Sequence, residues 1–472
     1  MKQLEADYLV VGCGAVGMSF VDTLLDESDA TVVIVDNHHQ PGGHWNDAYP
    51  FVRLHQPSHF YGVSSTPLGS HHIDESGSNA GYYELASGSE VQAYFEQIMR
   101  QRFLPSGRVQ YFPMADYDGE GKFHNVMSGQ EFSVMVNKRV VDSAYFKTTV
   151  PSRHIRGFSV ADGVDCVAPN ELPVLATEYD RFCILGAGKT AMDTGVWLLD
   201  HGTDPDRITW VCPRQSWLMN REVTQASVEF FKESVGGFAD QMEAIAQASS
   251  TDDLFERLEA CGFMLRIDKT ERPSMFHFAT ISKGEVAQLQ RLTKIIAQGH
   301  IQRIEGGKLL MQEGGDVDMP GKTLYIDCTA SAVDFKTPKS RPVFEPGLIT
   351  IQGLRIPNPC LSAAICAWVE SHYADDETRN RLCTPVPLPD DQRSWLTTTL
   401  GNMMNQGVWS GEPELAKWIA KNRLDAFSAV ISEADLTVPE NQAIMEKLSS
   451  NLMPAISNLQ KLIAADSGSG DA

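Results

Sequence analysis

Positive charge is scarce in this chain. Its 39 Lys and Arg face 61 Asp and Glu, a formal net charge of −22 over 472 residues. That balance repels phosphodiester backbones and anionic bilayers, so no nucleic acid and no membrane surface is expected as a partner. Long apolar runs are missing too: no stretch approaches the roughly 18 uninterrupted apolar residues that a spanning helix needs. The nine cysteines are odd in number, scattered, and never spaced C-x-x-C. Disulfide scaffolding is therefore not expected, and a reducing, cytoplasmic location fits. The opening MKQLEADYLVVGCG has one lysine and two acids before its apolar run and reads as a strand rather than a secretion signal. Metal-ligand spacing is also absent. Seven of the 13 histidines (38, 39, 44, 55, 59, 71 and 72) fall early in the chain, but His38 and His39 are adjacent and no helix-borne i, i+4 pair comes with an acid. No metal is expected.

What the chain does have is one glycine-rich pattern, twice. Leu9 to Asp26 reads LVVGCGAVGMSFVDTLLD, and Cys183 to Asp200 reads CILGAGKTAMDTGVWLLD. Gly12 aligns with Gly186, Gly14 with Gly188, and Gly17 with Ala191. Each copy follows a short apolar run and precedes a helical apolar pattern, which is the strand–turn–helix setting of a dinucleotide site. The first glycine permits the tight turn, the second lets a diphosphate approach the backbone, and the third lets the helix pack on the strand. The helix N-terminus then offers N–H groups to the diphosphate, here from Ala15 and Val16. Asp36, followed by Asn37, ends the next strand, where a carboxylate bonds the ribose hydroxyls of FAD or NAD.

In the second copy Lys189 and Thr190 lie in the turn, and Lys189 is expected to add positive charge near the diphosphate. The next strand ends in Pro213-Arg214 rather than an acid. An arginine there pairs with a 2′-phosphate, which favours NADPH over NADH. Gly188-Lys189-Thr190 also looks like the end of a P-loop, but that loop needs a glycine at position 183, which is Cys.

The rest of the chain reads as follows. A long loop covers 37–90, and Ser89 caps a helix through VQAYFEQIMRQRF. Residues 108–145 alternate as an antiparallel sheet, and 217–300 are mostly helical, with Val286, Leu289, Leu292 and Ile295 as one buried stripe. Short strands cover 301–329, a loop covers 336–358, and LSAAICAWVESHY is a helix. Trp217 and Arg221 either contact an adenine or, for Trp217, pack a helix start. Leu415, Trp418 and Ile419 pack a C-terminal helix inward.

Three further stretches carry a family resemblance. Gly42-Gly43-His44-Trp45 resembles the second glycine pair, followed by Trp, of the flavin-containing and Baeyer–Villiger monooxygenases, where it lies along the flavin. Pro57-Ser58-His59-Phe60-Tyr61 resembles the Pro-Ser-His-x-Tyr stretch of the Baeyer–Villiger group. Asp327-Cys328-Thr329-Ala330 resembles the strand that returns the chain to the flavin domain. Where the Baeyer–Villiger group has an aspartate facing the flavin, this chain has His55. The asparagine of the N-oxygenating branch has Gln56 as its nearest counterpart. Thr148 and Val150 replace the Phe and Gly of a further fingerprint whose end is kept in His154 and Phe158.

The resemblance spans residues 5–335 and implies an α/β fold with two Rossmann-type dinucleotide-binding domains, a FAD domain interrupted by an inserted NADPH domain, plus a helical C-terminal region. The expected boundaries are 1–150 and 325–390 for the FAD domain, 151–324 for the NAD(P)H domain with a helical insertion, 391–464 for the C-terminal helices and 465–472 for a disordered tail. FAD is expected on Gly12, Gly14 and Gly17 and on Gly43, His44, Trp45, His55 and Ala330. NADPH is expected on Gly186, Gly188, Thr190, Ala191 and Arg214. The activity implied is that of a monooxygenase: NADPH reduces FAD, the flavin captures O2 as a C4a-(hydro)peroxide, and one oxygen atom passes to a small organic substrate, with His55, Gln56 and Trp45 lining the flavin face. Two alternatives stay open, an NAD(P)H:acceptor flavin oxidoreductase or oxidase, and a non-catalytic flavin-binding sensor or partner protein. A homo-oligomer is compatible with the sequence.

Overall fold

The computed structural model describes residues 1–331 and 341–468. Two sheets organise it, one mixed around a parallel core and one wholly parallel, and each contains the strand that leads into one of the glycine-rich turns. In the first, the strands Leu348–Thr350, Glu131–Asp142, Lys2–Val11, Val32–Val35 and Val109–Phe112 lie side by side in that order, all parallel. Val32–Val35 is buried at every position because both faces of the sheet are covered. Helix Ala15–Glu27 covers one face and packs against helix Pro359–His372. Their shared core holds Val10, Phe20, Leu24, Ile34, Leu361 and Ile365, all 0–1 % exposed. Each such side chain contributes about 1.5–3 kcal/mol relative to exposure.

The second sheet is entirely parallel: Ile295–Ile296, Ile208–Val211, Arg181–Leu185, Thr323–Asp327 and Cys166–Val167. Helix Lys189–Asp200 follows the turn that leaves Arg181–Leu185. The α/β class and the two Rossmann-type units expected from the duplicated motif are therefore present. Two small sheets flank the second unit. The C-terminal helices divide between the two units. Pro413–Lys421 sets Leu415, Ile419 and Trp418 against the first core, whereas Gln392–Ser410 and Pro439–Gly468 join Gly237–Gln247 and Thr251–Ala260 around Met242, Phe255, Trp395 and Leu459.

Several sequence expectations are corrected. Helix Gly88–Ile98 is capped by Ser87, not Ser89, because Ser87 and Glu90 form a reciprocal capping box. The antiparallel reading of 108–145 holds only from Ala115 onward. Val109–Phe112 pairs parallel with Val32–Val35, which its alternation alone does not distinguish. Residues 217–300 contain the paired strands Ser216–Asn220 and Met275–Ile281 between helices. The stripe from Val286 to Ile295 is packed in one cluster, but its helix stops at Leu289 and Ile295 belongs to a strand. The tail expected from 465 starts inside helix Pro439–Gly468, and the remainder lies outside the described residues, as does part of the expected loop 336–358. No helix among the described residues is long and apolar enough to cross a membrane.

Candidate active site

The first turn is built from contacts that tolerate little else. Gly12 has φ +101°, and its N–H donates to Val35 O at 2.8 Å. The Cys13 N–H donates to Asp36 Oδ2 at 2.5 Å, so the turn itself orients this carboxylate. Asp36 Oδ1 accepts from the His38 N–H at 2.8 Å and lies 2.9 Å from the His38 ring, whose other nitrogen is 2.8 Å from Asp47 Oδ2. Hydrogen bonds to both carboxylates outweigh burial and raise the His38 pKa. Helix Ala15–Glu27 starts after Gly14 with no side-chain cap and no acid in its first turn, leaving the N–H groups of Ala15 and Val16 open to an anion. Asn37 is exposed beside Asp36.

The Gly42–Trp45 stretch lies directly on this turn. A Cβ on Gly43, which has φ +55°, would fall 2.8 Å from Gly14 Cα. Trp45 is buried, with its indole N–H donating to Tyr61 OH at 2.8 Å, and His44 stacks on it with ring centroids 5.3 Å apart. The Gly-Gly-His-Trp and Pro-Ser-His-Phe-Tyr stretches, separate in sequence, are thus joined through Trp45 and Tyr61. Asn46 Oδ1 is buried here with no partner, an acceptor that a cofactor hydroxyl or amide would satisfy.

The second turn repeats the geometry with a more open mouth. Gly186 has φ +118°, and a Cβ there would meet Cys328 O at 2.7 Å. Trp210 Nε1 donates to Gly186 O at 2.7 Å. Nothing lies within 4 Å of a Cβ built on Gly188. Helix Lys189–Asp200 also begins uncapped and free of acids in its first turn, and Ala191 is fully buried behind it. Thr190 lies half-buried at that helix start. Arg214, just beyond Ile208–Val211, is exposed and makes no ion pair among the described residues. Ala330 is half-buried past the end of Thr323–Asp327. Open space over Gly188, an uncapped helix and an unpaired arginine suit a phosphorylated dinucleotide.

Lys189 corrects the sequence reading. Its ammonium does not stand free for a diphosphate. It pairs with Asp193 and, at 3.0 Å, with Glu285 Oε1. Burial works against the charge, but the two carboxylates raise the Lys189 pKa. Arg221 is likewise engaged inside the protein: only 1 % exposed, it places NH1 2.6 Å from Glu285 Oε2 and donates from Nε to His55 O at 3.0 Å. Burial of Glu285 opposes ionisation, yet Lys189 and Arg221 hold its carboxyl well below the ordinary range. Trp217 takes the packing alternative, buried against Phe255. Tyr49, two residues past Asp47, donates to Asp193 Oδ2 at 2.6 Å.

His55 therefore sits where the two units meet. Burial, reinforced by Lys189 and Arg221, brings its pKa down to about 4, so at neutral pH it is an uncharged imidazole. Burial likewise brings His44 to about 4. Gln56, half-buried and next to His55 in the chain, uses its side chain in no hydrogen bond among the described residues. Tyr49, Asp193 and Glu285 escaped the sequence reading. Asp193 was visible as the i+4 partner of Lys189, and Glu285 as the third residue after the cap Ser282, but nothing local joined the two. Among the described residues no cluster of three or more His, Cys, Asp or Glu forms a metal site.

No family model matches the chain. Among solved structures, it is similar to an open crystal structure of cyclohexanone monooxygenase, at 13% identity and a TM-score of 0.47 over 91% of this chain and 97% of the other. It is similar to a polycyclic ketone monooxygenase from Thermothelomyces thermophila at 10% identity and a TM-score of 0.49, over 98% and 88%. It is similar to a bacillithiol disulfide reductase from Staphylococcus aureus at 9% identity and a TM-score of 0.45, over 87% and 100%. In sequence, it is 44% identical over 98% of its length, and 86% of theirs, to uncharacterized proteins of Mycobacterium tuberculosis and Mycobacterium bovis. At that identity and coverage, this chain belongs to the same family as the two mycobacterial proteins.

Proposed function

We propose that this protein is a flavin-dependent, NADPH-using monooxygenase that transfers one oxygen atom of O2 to a small organic substrate in the cytoplasm. The observation that carries the reading is a difference between two otherwise matching turns. Both open onto uncapped helix starts, but one presents a buried carboxylate, Asp36, and the other an unpaired arginine, Arg214, at the position of the adenosine ribose. Two adenine dinucleotides of different kinds are the ligands that such a pair of ends distinguishes. A bound flavin would supply the redox centre, and the reduced nicotinamide its electrons.

The chain's own residues position and shield. Gly14 and Gly43 bring two backbones together at the first diphosphate site, and Asp36 takes the ribose hydroxyls. Arg214 takes the 2′-phosphate. Trp45, fixed by Tyr61, walls the flavin side. His55 and Gln56 offer neutral hydrogen-bonding groups, and an uncharged His55 can bond the nicotinamide carboxamide or the reacting oxygen without adding charge to a dry site. Little side-chain acid–base chemistry is required.

A second reading, an NAD(P)H:acceptor oxidoreductase or oxidase, is favoured by one feature: His55 stands where a carboxylate faces the flavin in the Baeyer–Villiger group. Turnover under isotope-labelled O2 with candidate ketones, sulfides and amines separates the two. Label in the organic product in step with NADPH consumption supports the monooxygenase. Hydrogen peroxide equal to the NADPH consumed, with no labelled product, supports the oxidase. A purified protein that takes up no flavin ends both.

A further inference from the structure

Four charged side chains form an open run of ion pairs beside the first unit. Asp193 pairs with Lys189, Lys189 with Glu285 at 3.0 Å, and Glu285 with Arg221 at 2.6 Å. All lie in the second unit, and all four side chains are at most 14 % exposed. The run is tied to the first unit by three hydrogen bonds, one donated by the first unit and two donated to it. Tyr49 OH, from the loop that follows the Gly42–Trp45 stretch, donates to Asp193 Oδ2 at 2.6 Å. Arg221 Nε donates to His55 O at 3.0 Å, while its NH1 donates to Asn79 Oδ1 at 3.1 Å.

We propose that this run of ion pairs couples the two dinucleotide sites thermodynamically, with Tyr49 and Arg221 as the positioning residues that carry the coupling; the proposal rests on the reading of two dinucleotide sites given above. Lys189 is the first residue of the helix whose N-terminus faces the nicotinamide nucleotide, and His55 belongs to the loop expected at the flavin face. The run of ion pairs contacts both ends at once. Every charge in it is neutralised by a neighbour, so a small displacement of helix Lys189–Asp200 would leave a buried charge without its partner, which is costly. A ligand that fixes this helix therefore also fixes Tyr49 and the His55 carbonyl, and a ligand that fixes the His55 loop fixes the helix. Two ligands that each order the same element bind more tightly together than apart, and the factor is the same in both directions.

A cluster that only held the units together would change stability and nothing else, so the test reads the mutual factor. FAD affinity of the full-length apoprotein is measured by flavin fluorescence, with and without saturating NADP+, and NADP+ affinity is measured with and without FAD. In the unaltered protein each ligand is expected to tighten the other at least about fivefold, by equal factors. Tyr49→Phe keeps the charges of the run and removes one tie; each ligand alone should bind within about threefold of the unaltered protein, while the mutual factor falls below about twofold. Arg221→Lys keeps the positive charge but has no second fork for the His55 carbonyl, and should act in the same way. The proposal is overturned if the unaltered protein binds both ligands with no mutual effect, or if the factor survives unchanged in both variants. Failure of the underlying reading has a different signature: the unaltered protein takes up neither ligand, which removes the ground for both.

Discussion

The carbonyl oxygen of Gly12 occupies the place that a side chain on Gly17 would need: a Cβ built on Gly17 lies 2.2 Å from it. A Cβ on Gly188 meets nothing within 4 Å. Two glycines of one repeated motif thus do different work. The first keeps a helix against a strand, and the second keeps space clear over a helix start.

Gly17→Ala should therefore destabilise the fold itself, by about 1–3 kcal/mol or more, as overpacking does. Gly188→Ala should leave the thermal midpoint unchanged and weaken NADP+ binding, by roughly tenfold, the scale of a lost charge-assisted contact. Thermal melts and nucleotide titrations of the two variants check this. Equal midpoints for both would contradict the packing argument.

Arg214 is the unpaired cation at the end of its strand. Arg214→Ser should raise the KM for NADPH about tenfold, the value of one hydrogen bond to a charged group, and leave the KM for NADH unchanged. Steady-state kinetics with both coenzymes decide it; a parallel loss with NADH would assign Arg214 to the fold instead.

His55 and Gln56 are assigned neutral contacts at the reacting centre. The double variant His55→Ala/Gln56→Ala should keep its flavin but lose at least about tenfold in product formed per NADPH consumed, with the shortfall appearing as hydrogen peroxide. Unchanged product yield and unchanged NADPH oxidation would remove both residues from the site.

The lowered His55 pKa has a direct consequence for stability. The unfolded chain takes up the proton near the ordinary value of about 6.5, whereas the folded chain resists until about 4. Between those values the unfolded state binds more protons, so stability falls as the pH drops through this window. His44, lowered in the same way, acts in the same direction. His55→Gln should flatten the pH dependence of the denaturation midpoint between these limits, and an undiminished slope would show that the imidazole is not held neutral.

The architecture was legible because its signals are local. The turns at Gly12 and Gly186, the strands beside them and the helix Pro359–His372 are each written in fewer than two dozen consecutive residues. What escaped depends on distance. Lys189 beside a phosphate-binding turn looks like a phosphate ligand until Glu285 arrives from a separate helix. Arg221 is taken up by Glu285 and His55 O, which lie on either side of it in the chain and far from it in sequence. Val109–Phe112 has the alternation of any half-buried strand, and only its partner decides whether it runs parallel. The cap at Ser87 is local as well: Glu90 stands three residues after it, the spacing of a capping box.

The strand Leu348–Thr350 joins the first sheet beside Glu131–Asp142, yet the whole second unit is translated between them. A nascent chain leaving the ribosome must hold the Val140–Asp142 end of that strand unpaired on its outer side, and helix Ala15–Glu27 without its cover from Pro359–His372, until that insertion has been made. Bare strand borders recruit other chains. Synthesis stopped anywhere before Leu348 should therefore yield not a shortened protein that works poorly but one that sticks to itself, and crowding or slow elongation should lower the yield of full-length protein before any purified property changes.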